Sequence, residues 1–206
     1  MKIGIFPGSF NPVHIGHLAI ANYLAEYEGF DEIWFLITPQ NPLKKKTDLL
    51  DQNFRLSMLE KSINGYEKFK INTIEWEMSP PTYTVNTLQK LRIQYPQHEF
   101  VLVIGSDNWN TFHRWKDYQL ILKNFKTLIY PRRGSDRIYI NHPNVNLCKN
   151  APKIEASSSF IRDAVIQGKD VRFFLPSGIY KEVVDADFFK NEEIDEKNQL
   201  SQPEGM

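Results

Sequence analysis

The sequence KIGIFPGSFNPVHIGH, residues 2–17, decides the fold because an apolar run passes into a glycine-containing turn and then into a helical pattern. Ile3–Phe6 is short and almost wholly apolar, as expected of a strand that is buried on both faces of a parallel sheet. Beyond the turn, Leu18 and Ala21 begin a helical spacing for which Gly29 is a suitable stop. A buried strand followed by an amphipathic helix predicts the first half of a βαβ unit.

The rest of the chain repeats this alternation of apolar strand and amphipathic helix. Apolar residues at helical spacing predict further helices that end at Asn64-Gly65, before Pro96 and at Gly168. The alternation predicts an α/β protein with a three-layer, doubly wound parallel sheet and right-handed crossovers. The further strands are predicted at Ile33–Ile37, Phe69–Trp76 (less buried), Phe100–Ile104 and Thr127–Tyr130.

A length of 206 residues suits one domain, which we predict over residues 1–190. Two stretches show no periodicity and predict loops: Pro39–Asp48, which contains three consecutive lysines, and Asn141–Pro152, which is rich in asparagine. Residues 191–206 are polar and nearly free of apolar side chains, which predicts a poorly ordered tail.

The composition argues against several functional classes. With 25 basic and 25 acidic residues the net charge is zero, whereas binding to a nucleic acid through a bulk positive field requires a basic surface. No apolar run is long enough to span a bilayer, and the first residues lack the pattern of a secretion signal. The single cysteine, Cys148, predicts a reducing compartment such as the cytoplasm.

His14 and His17 are the first candidates for chemistry. Three residues apart, they share one face of the first helical turn, where amide N–H groups and the positive end of the helix dipole favour an anion. Gly8 permits a tight turn and Gly16 leaves room between the rings, so the pattern predicts a phosphate clamp. A structural hydrogen-bonding role and a zinc site are the alternatives, although no third ligand has suitable spacing.

A second candidate phosphate site lies near the other end of the chain. Ser157, Ser158 and Ser159 open a predicted helix, where hydroxyls and free amides favour an anion. Arg162 follows one turn later and can bind phosphate oxygens with its planar fork. The alternative is an ordinary serine cap with a solvated arginine.

Both segments resemble motifs of the nucleotidyltransferases that carry a His-x-Gly-His signature. The first motif of that superfamily, Gly-x-Phe-x-Pro-x-His-x-Gly-His, is matched at all six fixed positions of residues 8–17. The second, Ile-Ser-Ser-Ser/Thr-x-Ile-Arg, is matched by ASSSFIR at residues 156–162, with Ala156 in place of Ile. The resemblance implies a Rossmann-like nucleotidyltransferase fold and transfer of a nucleotidyl group from a triphosphate.

The middle of the chain suggests the acceptor. Asp107 follows a predicted buried strand, where a carboxylate can bind ribose hydroxyls, and Trp115 could stack on a flat, cationic ring. A helix cap and core packing are the respective alternatives. The Thr-Tyr-Thr loop at residues 82–84, Gly-x-Asp and the later Trp together resemble bacterial nicotinate-nucleotide adenylyltransferases.

This second resemblance implies adenylyl transfer from ATP to nicotinate mononucleotide in NAD biosynthesis. It implies Mg²⁺ carried by ATP, small-molecule substrates, no nucleic acid or membrane partner and a possible homo-oligomer. Catalytic roles are implied for His14, His17 and Arg162, and ATP contacts for Gly8, Ser9, Phe10, Gly16, Ser157, Ser158, Ser159 and Arg162. Mononucleotide contacts are implied for Lys44, Thr82, Tyr83, Thr84, Asp107, Trp115 and Lys116.

The chain departs from the family pattern at Asn11 and Asn86, where Asp is common, so an ion pair made by relatives there is in doubt. The lysine run at Lys44–Lys46 contacts substrate phosphate or is simply a solvated loop. Two other functions stay open at this stage. One is a different member of the superfamily, such as a pantetheine-phosphate adenylyltransferase or a glycerophosphate cytidylyltransferase, and the other is a non-catalytic nucleotide-binding module.

Overall fold

The computed structural model describes residues 1–39, 49–132 and 139–185, and structural statements below refer to those residues. The strands are β1 (Lys2–Gly8), β2 (Glu32–Ile37), β3 (Phe69–Asn72), β4 (Glu99–Gly105), β5 (Lys126–Tyr130) and β6 (Val145–Leu147). The helices are α1 (Ile15–Tyr27), α2 (Gln52–Ile63), α3 (Thr84–Gln94), α4 (Ser106–Asn110), α5 (Tyr118–Asn124), α6 (Ser158–Ile166) and α7 (Tyr180–Asp185). None of the helices in these ranges has both the length and the apolar character of a membrane span.

The strands form one parallel sheet in the order β3-β2-β1-β4-β5-β6. β1 and β4 are central neighbours, with Ile3 opposite Phe100 and Ile5 opposite Leu102. The chain builds outward from β1 through β2 and β3 and then returns to β4 on the other side of β1, so the strand order reverses between them. Ligands bind at the carboxyl ends of the strands at such a reversal.

Helices cover both faces of the sheet and create two apolar cores. One core contains residues of α1, α2, α6 and α7, and the other contains residues of α3, α4 and α5. Along β1, Ile5 belongs to the second core and Phe6 to the first, and each is at most 2% exposed. Burial on both faces explains why the central strands are near-continuous apolar runs.

The predicted doubly wound α/β fold is confirmed. Its helices end at the predicted stops, because Gly29, Gly65 and Gly168 have φ values of 67°, 85° and 66°, in the left-handed region that favours glycine after a helix. α3 ends at Gln94, directly before the segment that contains Pro96.

Two expectations for the outer strands were wrong. Within the predicted loop Asn141–Pro152, residues 145–147 form β6, which pairs in parallel with β5. The predicted strand Phe69–Trp76 stops at Asn72, and Ile74–Glu77 forms a 3₁₀ helix. The side-chain oxygen of Asn72 accepts the Ile74 N–H at 3.0 Å, and this local bond turns the chain out of the sheet.

Candidate active site

The loops after β1 and β4 open at the same edge of the sheet. The loop after β1 runs through residues 9–13 to His14 at the start of α1, and β4 passes directly into α4. Because β1 and β4 are hydrogen-bonded neighbours, these loops meet where the strand order reverses. The predicted phosphate and acceptor residues therefore start from one point of the fold.

His14 and His17 form a reciprocal cap on α1. The Nδ1 atom of His14 accepts the Gly16 N–H at 3.1 Å, and the Nδ1 atom of His17 accepts the His14 N–H at 3.3 Å. The two rings are stacked, with centroids 3.7 Å apart. A neutral imidazole that accepts at Nδ1 carries its proton on Nε2, and this assignment follows from the hydrogen bonds. Nε2 is therefore the atom of each ring that can donate to a phosphate oxygen.

This cap corrects the expectation that free amides of the first helical turn would bind phosphate. The Gly16 N–H is held by the His14 ring, and the His17 N–H donates to the His14 carbonyl oxygen at 2.9 Å. The Gly16 amide is paired because a histidine occupies the N-cap position, and the His17 amide is paired by the backbone of the same residue. The ring edges of the histidines replace them as candidate anion donors.

His14 is neutral at physiological pH. Its side chain is 2% exposed, and burial, with a smaller contribution from the positive charge of Arg132, lowers its pKa from 6.5 to about 3. The His14 ring thus offers a hydrogen-bond donor without a positive charge. The predicted proximity of the two rings is confirmed, while the phosphate clamp stays a prediction.

We expect His14→Asn to make folding less sensitive to acid. The unfolded chain protonates His14 below about pH 6.5, whereas the folded chain resists protonation down to about pH 3, so stability is lost as the pH falls through that window. Asn remains a good N-cap acceptor and does not titrate. Between pH 7.5 and 4.5, urea melts should show that the variant loses on the order of 2 kcal/mol less than wild type. Exposed His113→Asn is the control, and an unchanged acid loss in His14→Asn would contradict the assignment.

The turn before α1 is shaped by the buried ring of Phe10. This ring is 1% exposed and lies edge-on to His17, with centroids 5.1 Å apart. A Cβ on Gly8 would lie 2.8 Å from the Phe10 ring, and one on Gly16 would lie 3.0 Å from the His14 ring, so a side chain at either position would crowd these rings. The Phe10 side chain belongs to the core, which leaves its backbone as the part that can meet ATP.

The second phosphate motif is joined to this turn by hydrogen bonds. The Ser158 hydroxyl donates to the Pro12 carbonyl oxygen at 2.9 Å. Nη1 of Arg162 donates to the Asn11 carbonyl oxygen at 2.9 Å. The fold therefore brings together the two motifs that the sequence separates most widely.

The serines of α6 also stabilise their own helix. The Ser157 hydroxyl caps it by accepting the Phe160 N–H at 3.1 Å, and the Ser159 hydroxyl accepts from Nη2 of Arg162 at 3.4 Å. These bonds match the ordinary serine cap that was the alternative to an ATP contact. A hydroxyl has more than one hydrogen-bonding position, so contacts with ATP stay a prediction for these serines.

A narrow cleft opens beside the two joined motifs, between the start of α1 and Ala156. Ala156 is 3% exposed, and a Cβ on Gly16 would lie 3.5 Å from it, so the small residue at this motif position lies close to the start of α1. The cleft is lined by His14, Gly16, His17, Ile20, Tyr130, Pro131, Arg132, Pro152, Ile154 and Ala156.

Arg132 is a cleft residue that the sequence did not identify individually. The Nε atom of Arg132 lies 3.9 Å from Oδ2 of the exposed Asp107. The backbone N–H of Arg132 donates to the Ser106 hydroxyl at 2.8 Å. A Cβ on Gly105, the last residue of β4, would clash with Oδ1 of Asp107 and lie 2.7 Å from the Arg132 side chain, so this glycine makes room for both. Arg132 thus connects Asp107, on the acceptor side, with the cleft that contains His14. The sequence signal that could have identified Arg132 is the segment PRRG at residues 131–134, which follows the predicted strand Thr127–Tyr130.

Thr82 lies in the loop before α3, where its hydroxyl is bound by a buried carboxylate. It is 7% exposed, and its hydroxyl donates to Oε2 of Glu75 at 3.3 Å, while the Thr87 hydroxyl donates to Oε1 of Glu75 at 2.7 Å. Glu75 is 3% exposed, and burial raises its pKa although the two hydroxyl groups oppose that shift. Thr82 therefore anchors the loop, whereas Tyr83 and Thr84 are partly exposed at the start of α3.

We expect Glu75→Gln to remove part of the pH dependence of folding. Because the folded pKa lies above the ordinary value of 4.5, the native state holds this proton more strongly, and stability falls as the pH rises past 4.5. Gln keeps an oxygen acceptor for Thr87 and never ionises. The variant should be at least as stable as wild type in urea melts at pH 8. Exposed Glu77→Gln on the same 3₁₀ helix should change nothing, and strong destabilisation of Glu75→Gln would show that the charge is needed.

Trp115 lies at the edge of the second core. It is partly buried, and its ring centroid is 5.1 Å from that of Phe112. Its backbone N–H donates to the Phe112 carbonyl oxygen at 2.9 Å. Lys116 is exposed, with its ammonium 3.7 Å from Oδ2 of Asp117.

The remaining predicted site residues are Lys44 and Ser9. Lys44 and the rest of the lysine run lie outside the described residues. Ser9 is partly exposed in the turn after β1. Among the described ranges, no group of three or more His, Cys, Asp or Glu side chains could hold a metal ion.

Known proteins are similar to this chain over nearly its whole length. A family model described as cytidylyltransferase-like matches residues 5–164. A relative from Azobacteroides pseudotrichonymphae, named a probable nicotinate-nucleotide adenylyltransferase, is 62% identical over 184 residues, which are 89% of this chain and 97% of the relative. A relative of the same name from Bacteroides fragilis is 47% identical over 185 residues, covering 89% and 91%.

Solved structures support the same fold. The nicotinic acid mononucleotide adenylyltransferase of Plasmodium falciparum, complexed with NaAD, has a TM-score of 0.70 and 20% identity, and the match covers 92% of this chain and 96% of that one. The same enzyme complexed with APC gives a TM-score of 0.69. At this identity the likeness concerns the fold.

Proposed function

The chain belongs to the cytidylyltransferase-like family and, within it, to the nicotinate-nucleotide adenylyltransferases, and we propose that the cleft between His14 and Ala156 is its catalytic centre. The enzyme transfers the adenylyl group of ATP to nicotinate mononucleotide and forms deamido-NAD and pyrophosphate. The assignment of the site rests on one observation. Hydrogen bonds from Ser158 to Pro12 and from Arg162 to Asn11 join the two phosphate motifs beside the cleft.

The reaction needs positioning more than proton transfer. The attacking phosphate of the mononucleotide has a second pKa near 6 and is already a nucleophile at pH 7. As its oxygen bonds to the α-phosphorus, the bond to the pyrophosphate oxygen breaks and that oxygen takes the electron pair. The protein then has to align the two phosphates and stabilise the negative charge on the oxygens.

We assign this stabilisation to His14, His17 and Arg162. Nε2 of each histidine can donate to phosphoryl oxygens, and Arg162 has further N–H groups besides the one bound to Asn11. Arg132 adds positive charge beside the cleft. The backbone can approach ATP closely at Gly8, Ser9, Phe10 and Gly16. Residues 152–156 offer a surface for adenine.

Mg²⁺ fits this site as an ion carried by ATP. The cleft offers nitrogen donors of histidine and arginine, whereas Mg²⁺ prefers oxygen ligands, which the triphosphate itself supplies. When bound, the ion neutralises charge on the triphosphate and helps pyrophosphate to leave.

The acceptor side is proposed at Tyr83, Thr84, Asp107, Trp115 and Lys116. Tyr83 and Trp115 pack against the same core, and Asp107 reaches the cleft through Arg132. The pyridine ring would stack on Trp115, and its carboxylate would lie near the start of α3, at the positive end of that helix.

We expect Trp115→Ala to raise KM for nicotinate mononucleotide about 10-fold or more, because a stacked ring contributes roughly 1–3 kcal/mol. KM for ATP should change less than about twofold, since the triphosphate site lies on the other core. Steady-state kinetics with each substrate varied in turn measures both values.

Trp109→Ala is the matched control for this prediction. Trp109 stacks on the same Phe112, with centroids 5.3 Å apart, so its loss disturbs the same aromatic cluster. It should affect both substrates equally. An unchanged mononucleotide KM in Trp115→Ala would remove Trp115 from the pyridine site.

Pyrophosphate release from ATP and nicotinate mononucleotide is the direct assay of the activity. Nicotinamide mononucleotide in the same assay measures the preference for acid over amide. Pantetheine phosphate with ATP, and glycerol phosphate with CTP, test the other members of the superfamily. Release with either of these and none with nicotinate mononucleotide would overturn the proposed acceptor.

We further propose one nucleotidyltransferase domain over residues 1–190, followed by a polar tail. A cytoplasmic location is proposed because Cys148 is a free, buried thiol, which suits a reducing compartment. A homo-oligomer is a proposal for which sedimentation of the purified chain is the test.

A further inference from the structure

Arg55 is a buried arginine on α2 that the mechanism above does not use. It is 1% exposed. Its guanidinium donates to four backbone carbonyl oxygens: those of Leu50 at 3.1 Å, Ser9 at 2.7 Å, Thr38 at 2.9 Å and Pro39 at 3.3 Å.

These acceptors come from three segments that meet at the carboxyl edge of the sheet. Ser9 follows β1, Thr38 and Pro39 follow β2, and Leu50 lies just before α2. Burial lowers the pKa of Arg55, but an arginine stays charged in a protein, and the carbonyl groups replace its lost water. One rigid fork of donors therefore holds the ends of two central strands together, which the single ammonium of a lysine does less well.

The bond to Ser9 fixes the orientation of the next peptide group. In a trans peptide the C=O and the following N–H point in opposite directions, so a Ser9 carbonyl that faces Arg55 turns the Phe10 N–H away from it. The φ of Phe10 is 46°, a conformation that a non-glycine residue adopts only when its surroundings enforce it. Arg55 and the buried Phe10 ring hold this turn from its two ends.

The same arginine is linked to Arg162 through the backbone. Leu50, whose carbonyl binds Arg55, donates its N–H to Oδ1 of Asn11 at 3.0 Å. The carbonyl oxygen of Asn11 in turn accepts from Nη1 of Arg162 at 2.9 Å. The position of a proposed phosphate ligand thus depends on the segment that Arg55 fixes.

We propose that Arg55 is a positioning residue for adenylyl transfer, which holds the turn at residues 9–11 in the conformation that receives the triphosphate and orients Arg162 through Asn11. This inference rests on the proposed function of the cleft. It assigns Arg55 to the ATP side of the reaction and gives it no contact with the acceptor.

Arg55→Met and Arg55→Lys test the proposal. Arg55→Met keeps a long apolar side chain and removes every donor, and we expect kcat/KM for ATP to fall about 100-fold, because small misplacements of reacting groups have effects of that size. KM for nicotinate mononucleotide should stay within about threefold of wild type, as expected of sites that share no contact. Arg55→Lys keeps the charge without the planar fork, so its kcat/KM for ATP should lie between those of Arg55→Met and wild type.

Met58→Ala is the matched control for lost stability. Met58 is fully buried on the same helix, and its truncation should lower Tm by about 5–15 °C without touching the turn. At a temperature where all variants are folded, Met58→Ala should keep kcat/KM for ATP within about twofold. An equal loss in Arg55→Met and Met58→Ala, or equal losses for both substrates, would overturn the positioning role.

Calorimetric titration with ATP alone separates this inference from the proposed function. It measures ATP affinity without an acceptor, so it remains informative if the acceptor assignment fails. Weaker ATP binding in Arg55→Met than in Met58→Ala supports the positioning role, and equal binding overturns it. Should Arg55→Met not fold, the same comparison with Arg55→Lys decides the matter.

Discussion

Replacing His17 by Ala is expected to lower kcat about 10³-fold while KM for ATP rises by less than about 10-fold. Nδ1 of His17 is occupied by the His14 N–H, so Nε2 carries the proton. A donor of this kind acts most strongly when charge accumulates on the phosphoryl oxygens, which happens in the transition state. Its loss should therefore appear in turnover more than in substrate binding.

Two further substitutions separate this role of His17 from its part in the helix cap. An Asn oxygen can replace Nδ1 and accept the His14 N–H, whereas a Gln amide nitrogen can reach the region of Nε2. His17→Asn should keep the wild-type Tm and lose turnover, and His17→Gln should recover part of the turnover. If His17→Asn were fully active, the donor role would be refuted.

Arg162→Lys is expected to lower kcat/KM for ATP about 100-fold. Arg162 binds Asn11 through Nη1 and Ser159 through Nη2 and still has N–H groups for a phosphate. A lysine ammonium cannot stay bound to the turn and also present a planar fork to the ligand. Both kcat and KM should change, because the proposed planar fork would contact ATP in the ground state as well.

Arg172→Lys is the control for Arg162→Lys. Arg172 is exposed and paired with Asp170 at 2.6 Å, away from the proposed contacts with ATP. It should leave kcat/KM within about twofold of wild type, as for most surface changes. A similar small effect in Arg162→Lys would exclude bidentate phosphate binding by Arg162.

The central strands could be predicted because composition alone identifies them. β1, β2, β4 and β5 are covered on both faces, so their apolar runs are continuous. β6 is an edge strand of three residues, and it forms because its backbone pairs with that of β5, where Ile129 lies opposite Leu147. Pairing between distant segments is a property of the folded chain and leaves no local pattern.

The candidate site, like the fold, could be predicted from the sequence only in part. The spacing of His14 and His17 predicts their proximity because three residues make about one helical turn. It does not show that the rings cap each other and occupy the Gly16 amide. Arg132 and Arg55 resemble ordinary surface residues in the sequence, and only the fold places one in the cleft and buries the other. The hydrogen bond from the Thr82 hydroxyl to Glu75 could not be predicted, because Glu75 lies in a different element.

The division of the apolar interior by the sheet has a consequence for the divergence of acceptor specificity. The proposed triphosphate residues rest on the core beneath α1 and α6, and the proposed pyridine residues rest on the core beneath α3 and α4. Apart from Asp107 and Arg132, which link the two halves, substitutions in one half should combine additively with substitutions in the other, since sites without shared partners behave independently. Such an enzyme can be given a new acceptor by remodelling one layer of the sandwich, while the machinery for the adenylyl donor is inherited unchanged.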